Sequence, residues 1–173
     1  MSCFLGLLPS GEALEVLRAH PRPTLDGIRW EPERRWHVTI RYTPHVDATT
    51  LQGLVEVADE VAAVLAPARI SLEGRTQRLG RDGTLVVPAA GATQLAEAVD
   101  DALGGLLGER HEAFFGHLTL ARLARSVELP AVLLDVAVTT SFVATELCLI
   151  VSTPGRDGSV YDVAHRAGFT GER

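Results

Sequence analysis

His37-Val38-Thr39-Ile40 and His117-Leu118-Thr119-Leu120 are two copies of one pattern, His-x-Thr-x, lying 80 positions apart in a chain of 173 residues. On a β-strand alternate side chains point to opposite faces. Each His therefore projects with its Thr, while Val38 and Ile40, or Leu118 and Leu120, turn inward. An imidazole titrates near neutrality and can give or take a proton, and a hydroxyl donates a hydrogen bond to an anionic oxygen. Two such pairs facing one another make a set suited to general acid and base chemistry at an anionic centre. One copy alone reads as an ordinary polar strand face. Two copies with the same alternation, in corresponding halves of the chain, read as a site.

The elements that must position these residues follow from periodicity and punctuation. Residues 2 to 8 read as a buried strand, after which Pro9, Ser10 and Gly11 turn the chain into a helix that Ser10 caps, ending before Pro21. Ile28 to Trp30 and Trp36 to Tyr42 read as strands, with Arg41 on the His37 face and Tyr42 in the core beside Val38 and Ile40. Asp47 caps a second helix, whose stripe of Leu51, Leu54, Val55, Ala58, Val61, Ala62 and Leu65 repeats every three or four residues until Pro67. Ile70 to Leu79 and Thr84 to Val87 flank the tight turn Gly80-Arg81-Asp82-Gly83. A third helix spans about Ala92 to Leu107. His117 to Leu123, Leu133 to Val138, Phe142 to Ser152 and Val160 to His165 then read as strands, the last two joined by the turn Pro154 to Gly158. The second half repeats the order of the first, as a degenerate duplication would.

Composition narrows the function. With 16 Lys plus Arg against 22 Asp plus Glu, the net charge is −6, so the protein as a whole repels a phosphate backbone and must grip any nucleic acid locally. Arg22, Arg29, Arg34, Arg35 and Arg41, before and within the first motif, supply only a local basic strip. Short single-stranded ends or small cyclic nucleotides suit it better than a long duplex. Cys3 and Cys148 have neither a ligand spacing nor a disulfide framework, which fits a reducing cytoplasm. No apolar run reaches the ~20 residues of a membrane helix, and the opening residues read as a strand rather than a leader. Neither glycine cluster has a P-loop or dinucleotide pattern. A zinc site on His37 and His117 would need a third ligand, and no Cys, Asp or Glu has ligating spacing beside either strand. The expectation is therefore no metal and no cofactor. Trp30 and Trp36 could stack a base but suit packing better. His20, His45, His111 and His165 share no spacing, and surface roles suffice for them.

The sequence resembles the two-histidine (2H) phosphoesterases, and among them the RNA 2′,3′-cyclic phosphodiesterases, also called 2′-5′ RNA ligases. Phe4 to Pro9 is similar to the opening strand of that family, Trp36 to Tyr42 to its first motif, and Phe114 to Arg122 to its second. Phe142 to Leu149, with Ser152 and Tyr161, is similar to its closing strands. The chain departs from the family at Tyr42, where a Phe is usual, at Pro44, where a Gly is usual, and at Gly116, where a Pro is usual. The resemblance implies an α+β fold over residues 1–173, with two lobes related by a pseudo-twofold axis. Antiparallel-rich sheets would line a central groove, with helices outside. It also implies metal-independent opening of a 2′,3′-cyclic phosphate to a 2′-phosphomonoester by His37 and His117. Thr39 and Thr119 would bind the phosphate, and Arg122 would occupy the place of a phosphate-pairing Arg. His37 is the preferred acid and His117 the preferred base, the reverse assignment staying open. The expected partners are RNA 2′,3′-cyclic phosphate ends or small cyclic nucleotides, met by a monomer without membrane contact. A non-catalytic binder of RNA ends, or 2′-5′ ligation by the reverse reaction, are the alternatives.

Overall fold

The computed structural model describes residues 1–172 apart from 81, 82, 109, 111, 125, 126 and 157. The chain runs β1 (Ser2–Leu7), α1 (Glu12–Ala19), β2 (Ile28–Trp30), β3 (Val38–Thr43), α2 (Ala48–Val64), β4 (Ala68–Arg75), β5 (Gln77–Leu79), β6 (Thr84–Pro88), α3 (Thr93–Leu107), β7 (His117–Leu123), β8 (Ala137–Ala144), β9 (Glu146–Gly155) and β10 (Gly158–Gly168). Eight strands form one antiparallel sheet in the order β10-β9-β1-β3-β7-β6-β5, with β2 also on β7. β4 and β8 form a separate two-stranded ribbon. The mixed α+β class agrees with the sequence reading.

The two halves of the large sheet meet where Val38 of β3 pairs with Leu118 of β7, antiparallel. On either side of that seam the strand pairs are copies of one another. β1 pairs with β3 as Leu7↔Val38, Gly6↔Thr39, Leu5↔Arg41 and Phe4↔Tyr42. β6 pairs with β7 as Val87↔Leu118, Val86↔Thr119, Leu85↔Ala121 and Thr84↔Arg122. Every residue of the second set lies 80 positions after its counterpart, and both ladders carry a bulge at the residue following the Thr, Ile40 or Leu120. The duplication read from element order thus extends to the register of the ladders.

Helices and ribbon cover the face of the sheet that carries Leu5, Leu7, Val38, Ile40, Leu118 and Leu120, all within one buried core. That burial drives the sheet to keep its aliphatic residues on one side and to leave the His-Thr face open. Asp47 caps α2 as expected, its carboxylate accepting from the Thr50 N–H at 2.8 Å. α1 differs. Gly11, not Ser10, is the N-cap, with φ 55° and ψ −133°, a conformation open to glycine, and no side chain caps the helix.

Three predicted strands are also redrawn. Ile70 to Leu79 is broken at Thr76, whose buried hydroxyl donates to the Leu133 carbonyl at 2.7 Å and accepts from the Val136 N–H at 3.0 Å. Residues 131–133 form a 3₁₀ turn, so the strand read over Leu133 to Val138 begins only at Ala137. Phe142 to Ser152 is broken at Thr145, where β8 leaves for the ribbon and β9 enters the large sheet. Arg81 and Asp82 of the β5–β6 turn and Asp157 of the β9–β10 turn lie outside the described residues. Gly80 and Gly83 flank the first with φ 66°. Among the described residues no helix is long and apolar enough to cross a membrane.

Leu118 is fully buried at the seam. Leu118→Ala removes its transfer energy and leaves a cavity, so a loss of about 2–5 kcal/mol is expected. Chemical denaturation of the two proteins measures it.

Candidate active site

Carrying the Val38–Leu118 register one residue either way sets His37 opposite Thr119 and Thr39 opposite His117. The four side chains share the open face, each imidazole beside the other motif's hydroxyl. The rings are fixed in matching ways. His37 Nδ1–H donates to the carbonyl of Arg35 at 2.6 Å, and His117 Nδ1–H donates to the carbonyl of Phe115 at 2.8 Å, in each case the residue two positions earlier. Those bonds select the tautomer in which Nε2 of the neutral ring carries the lone pair. Each ring also lies against an aromatic. Phe4 stacks on His37 with centroids 4.4 Å apart, and Phe115 on His117 at 5.6 Å.

The surroundings break this symmetry. Tyr161 of β10 closes edge-on over both Phe4 and His37, at 5.2 and 5.4 Å. Removal from water pushes the His37 imidazole down from 6.5 to about 4, and the positive charges of Arg122 and His117 push the same way. The Arg35 carbonyl and Glu31 oppose them. His37 is therefore neutral at pH 7. His37, Thr39, Tyr42 and Arg122 line one cavity of about 440 Å³ with Glu31 and Tyr161. His117 lies in the adjoining cleft, lined also by Tyr42, Phe115 and Arg110. Tyr42 borders both.

The bulges decide which side chains reach this face. Beyond Ile40 the alternation shifts by one, so Tyr42, paired with Phe4, emerges on the groove side and is 55% exposed. Arg41, opposite buried Leu5, turns to α3. There it donates to Asp100 at 2.9 Å and to the Gly108 carbonyl at 3.0 Å. Both are corrections, since uninterrupted alternation places Tyr42 in the core and Arg41 beside His37. The Ile40 carbonyl accepts from Arg110 Nη2 at 2.7 Å, and Arg110 is itself held on Asp100. Beyond Leu120 the equivalent shift brings Arg122 to the groove, at the position corresponding to Tyr42.

No protein-family profile and no curated protein matches the chain. Solved structures do. TT0787 of Thermus thermophilus aligns over 100% of both chains with a TM-score of 0.84 and 21% identity. E. coli LigT complexed with 3′-AMP aligns over 97% of both chains with a TM-score of 0.73 and 21% identity. The MHV ns2 PDE domain covers 84% of this chain and 90% of its own, with a TM-score of 0.61 and 15% identity. The chain has the 2H phosphoesterase fold.

Within this 2H phosphoesterase fold the five residues singled out by sequence, His37, Thr39, His117, Thr119 and Arg122, fall on one face of one strand pair. Sequence reasoning missed Glu31, whose side chain is 5% exposed. Its carboxylate accepts from Arg122 Nε at 2.7 Å and from Arg35 Nη1 at 3.2 Å, and lies 3.7 Å from Arg29 Nη2. Its own N–H donates to the Leu120 carbonyl at 2.8 Å, and its carbonyl accepts from the Trp36 indole at 3.1 Å. The available signal was the crowding of Arg29, Arg34 and Arg35 around a lone Glu-Pro-Glu. Phe4 and Tyr161 carried none beyond resemblance.

The expected basic strip is divided, with Arg29 and Arg35 in the cavity wall, Arg41 on Asp100, and Arg22 over the Trp36 ring at 4.7 Å. Trp36 is buried and packs, as the sequence favoured. His165 pairs with Asp59 at 2.7 Å away from the site, and His111 lies outside the described residues. Among the described residues no group of three His, Cys, Asp or Glu side chains is placed to hold a metal ion.

Two outcomes test this geometry. The His37 imidazole is expected to titrate near 4 by NMR. Arg122→Gln removes a repelling charge and moves the value up toward 6.5, whereas Glu31→Gln removes an attracting one and moves it further down. Because the unfolded chain binds that proton first, the His37 contribution to stability is complete above 6.5 and is lost as pH falls toward 4. Separately, a Cβ on Gly116 would collide with the carbonyl oxygen of Ala89, to which β6 and β7 are tied by the Ala89 N–H to Gly116 carbonyl bond at 2.8 Å. Gly116→Ala is expected to displace His117 and to shift its imidazole resonances in the same spectra.

Proposed function

We propose that the chain is a phosphoric diester hydrolase that opens 2′,3′-cyclic phosphates at RNA ends or in small nucleotides, leaving a 2′-phosphomonoester without a metal or cofactor. The observation that carries the reading is the pair of imidazoles, each held by a carbonyl at Nδ1 and so presenting Nε2, across one antiparallel seam with a Thr beside each. Nucleotide ligands are in keeping with E. coli LigT, solved in complex with 3′-AMP, NADP+ and ATP. Action in a reducing cytoplasm is in keeping with two buried free cysteines, and it belongs to the same proposal, as does a monomeric state.

The chemistry follows from the groove. Thr39 and Thr119 hydroxyls and the Arg122 guanidinium donate to the non-bridging oxygens, where charge builds as water adds to phosphorus. β-branching restricts the Thr χ1 angles, so their donors are already placed. His37 arrives neutral, so its Nε2 takes the proton from the attacking water. His117 then carries in the proton that the 3′ oxygen takes as its bond to phosphorus breaks. This reverses the assignment preferred from the sequence, and the reason is burial: Phe4 and Tyr161 screen His37 from water while His117 lies in the open cleft.

Purified protein in EDTA is expected to convert adenosine 2′,3′-cyclic phosphate to 2′-AMP. His37→Ala and His117→Ala each should lower kcat by ~10²-fold or more, the usual contribution of a positioned proton-transfer group. Unchanged turnover in either variant would refute the shared mechanism. The profile of kcat/KM against pH should fall on the acid side as His37 gains its proton near 4. Roles are separated by the leaving group. With a nitrophenolate ester, which departs without a proton, the defect of His117→Ala should shrink while that of His37→Ala persists.

A further inference from the structure

The cleft that holds His117 differs in character from the cavity beside His37. Its volume is about 770 Å³, within the ~300–1,000 Å³ usual for a small-molecule site. Tyr42 and Phe115 line it, and at 55% and 44% exposure they are the exposed aromatic side chains among the described residues. Rings open to water in this way offer a flat ligand a face to stack on. The duplication shows how the two sides diverged. Phe115 and Arg35 stand 80 residues apart and each supplies the carbonyl that holds an imidazole, so one half sets a ring where the other sets a guanidinium. Arg41 and Arg110 also border the cleft, but both are neutralised on Asp100, and they donate besides to the Gly108 and Ile40 carbonyls. Glu112 opens its carboxylate to the same space. An acidic group there opposes a phosphate and favours a ligand edge made of N–H donors.

We infer that this cleft takes the base of the nucleotide that carries the cyclic phosphate, and that the base is guanine, stacked on Phe115 and Tyr42 with its edge toward Glu112. The inference rests on the roles proposed for His37 and His117. Water adds from the His37 side, and attacking and leaving oxygens stand roughly in line through phosphorus, so the 3′ oxygen departs toward His117. The ribose holds phosphorus through its 2′ and 3′ oxygens and therefore lies on that half, with its base in the cleft. There the aromatic pair meets the faces of the base and Glu112 meets its edge. Guanine carries N–H donors side by side at N1 and N2, which match the two oxygens of a carboxylate. Adenine presents a lone pair at N1, which a carboxylate repels, and the smaller pyrimidines offer less surface to stack.

The test compares kcat/KM for three substrates: guanosine 2′,3′-cyclic phosphate, adenosine 2′,3′-cyclic phosphate, and methyl ribofuranoside 2,3-cyclic phosphate, which has no base. The wild type should favour guanosine over adenosine by ~10-fold, as one or two hydrogen bonds to a charged group give. Either nucleotide should exceed the baseless ester by ~10-fold or more, the usual return of stacking a base. Glu112→Gln should remove the preference for guanosine, because an amide both donates and accepts and suits either purine. Tyr42→Ala should shrink the advantage of both nucleotides over the baseless ester. Equal kcat/KM for guanosine and adenosine, a baseless ester as good as either, or the same fractional loss on all three substrates in Tyr42→Ala overturns the base subsite but leaves the hydrolase. If no substrate is turned over, the hydrolase reading fails, and calorimetry with 2′-GMP and 2′-AMP decides the subsite. Tighter binding of 2′-GMP that Glu112→Gln removes supports it, and equal affinity overturns it.

Discussion

Antiparallel contact between β3 and β7 at Val38 and Leu118 is what brings the two motifs together, because neither half of the chain contains more than one imidazole and one hydroxyl of the set. The direction of pairing is decisive. Had the strands run parallel, His would have stood beside His and Thr beside Thr; run antiparallel, each imidazole gains the other motif's hydroxyl as its neighbour. The aliphatic residues between them explain why the arrangement persists. Val38, Ile40, Leu118 and Leu120 are buried under the helices, and slipping either strand by one residue would bury the His-Thr face and expose the aliphatic one.

Two bulges at matching positions then widen the repertoire. Strict alternation offers only positions 37, 39, 117 and 119 to the groove, and the extra residues Ile40 and Leu120 turn positions 42 and 122 toward it as well. At this point the halves part company, since one supplies the phenol of Tyr42 and the other the guanidinium of Arg122. The hairpin of β9 and β10 deepens the difference by placing Tyr161 over His37 alone. The acid and base roles proposed for the pair need that inequality. Two imidazoles in identical surroundings would take up protons together, whereas burial of one keeps it neutral over a range of pH.

Much of this was legible in the sequence, and the part that was not has a common cause. Period-two alternation around His37 and His117, the Asp47 cap and the stripe of α2 are local signals, and they translated directly into elements. Tyr42 and Arg41 were misplaced because a bulge depends on how a strand pairs with its neighbour, which nothing within Trp36 to Tyr42 records. Ser10 lost the cap to Gly11 because the chain enters α1 with a positive φ. The breaks at Thr76 and Thr145 are equally non-local, arising where strands leave the large sheet for the β4–β8 ribbon. Glu31 was invisible for a related reason, since its partners lie both beside it in sequence, at Arg29 and Arg35, and 91 residues away at Arg122.

Glu31 also resolves a tension between overall charge and anion chemistry. A protein with six more acidic than basic groups gains nothing from long-range attraction to a nucleotide, and salt screens such forces beyond ~10 Å. Binding must then come from donors already in place at contact distance. A carboxylate buried among arginines weakens their pull on an anion, yet it offsets the mutual repulsion that would scatter them. What remains is a compact group of guanidiniums held in place by one carboxylate, in the wall of a cavity that also holds His37, so that any anion affinity the proposed function requires depends on geometry at the site and little on the charge of the surface around it.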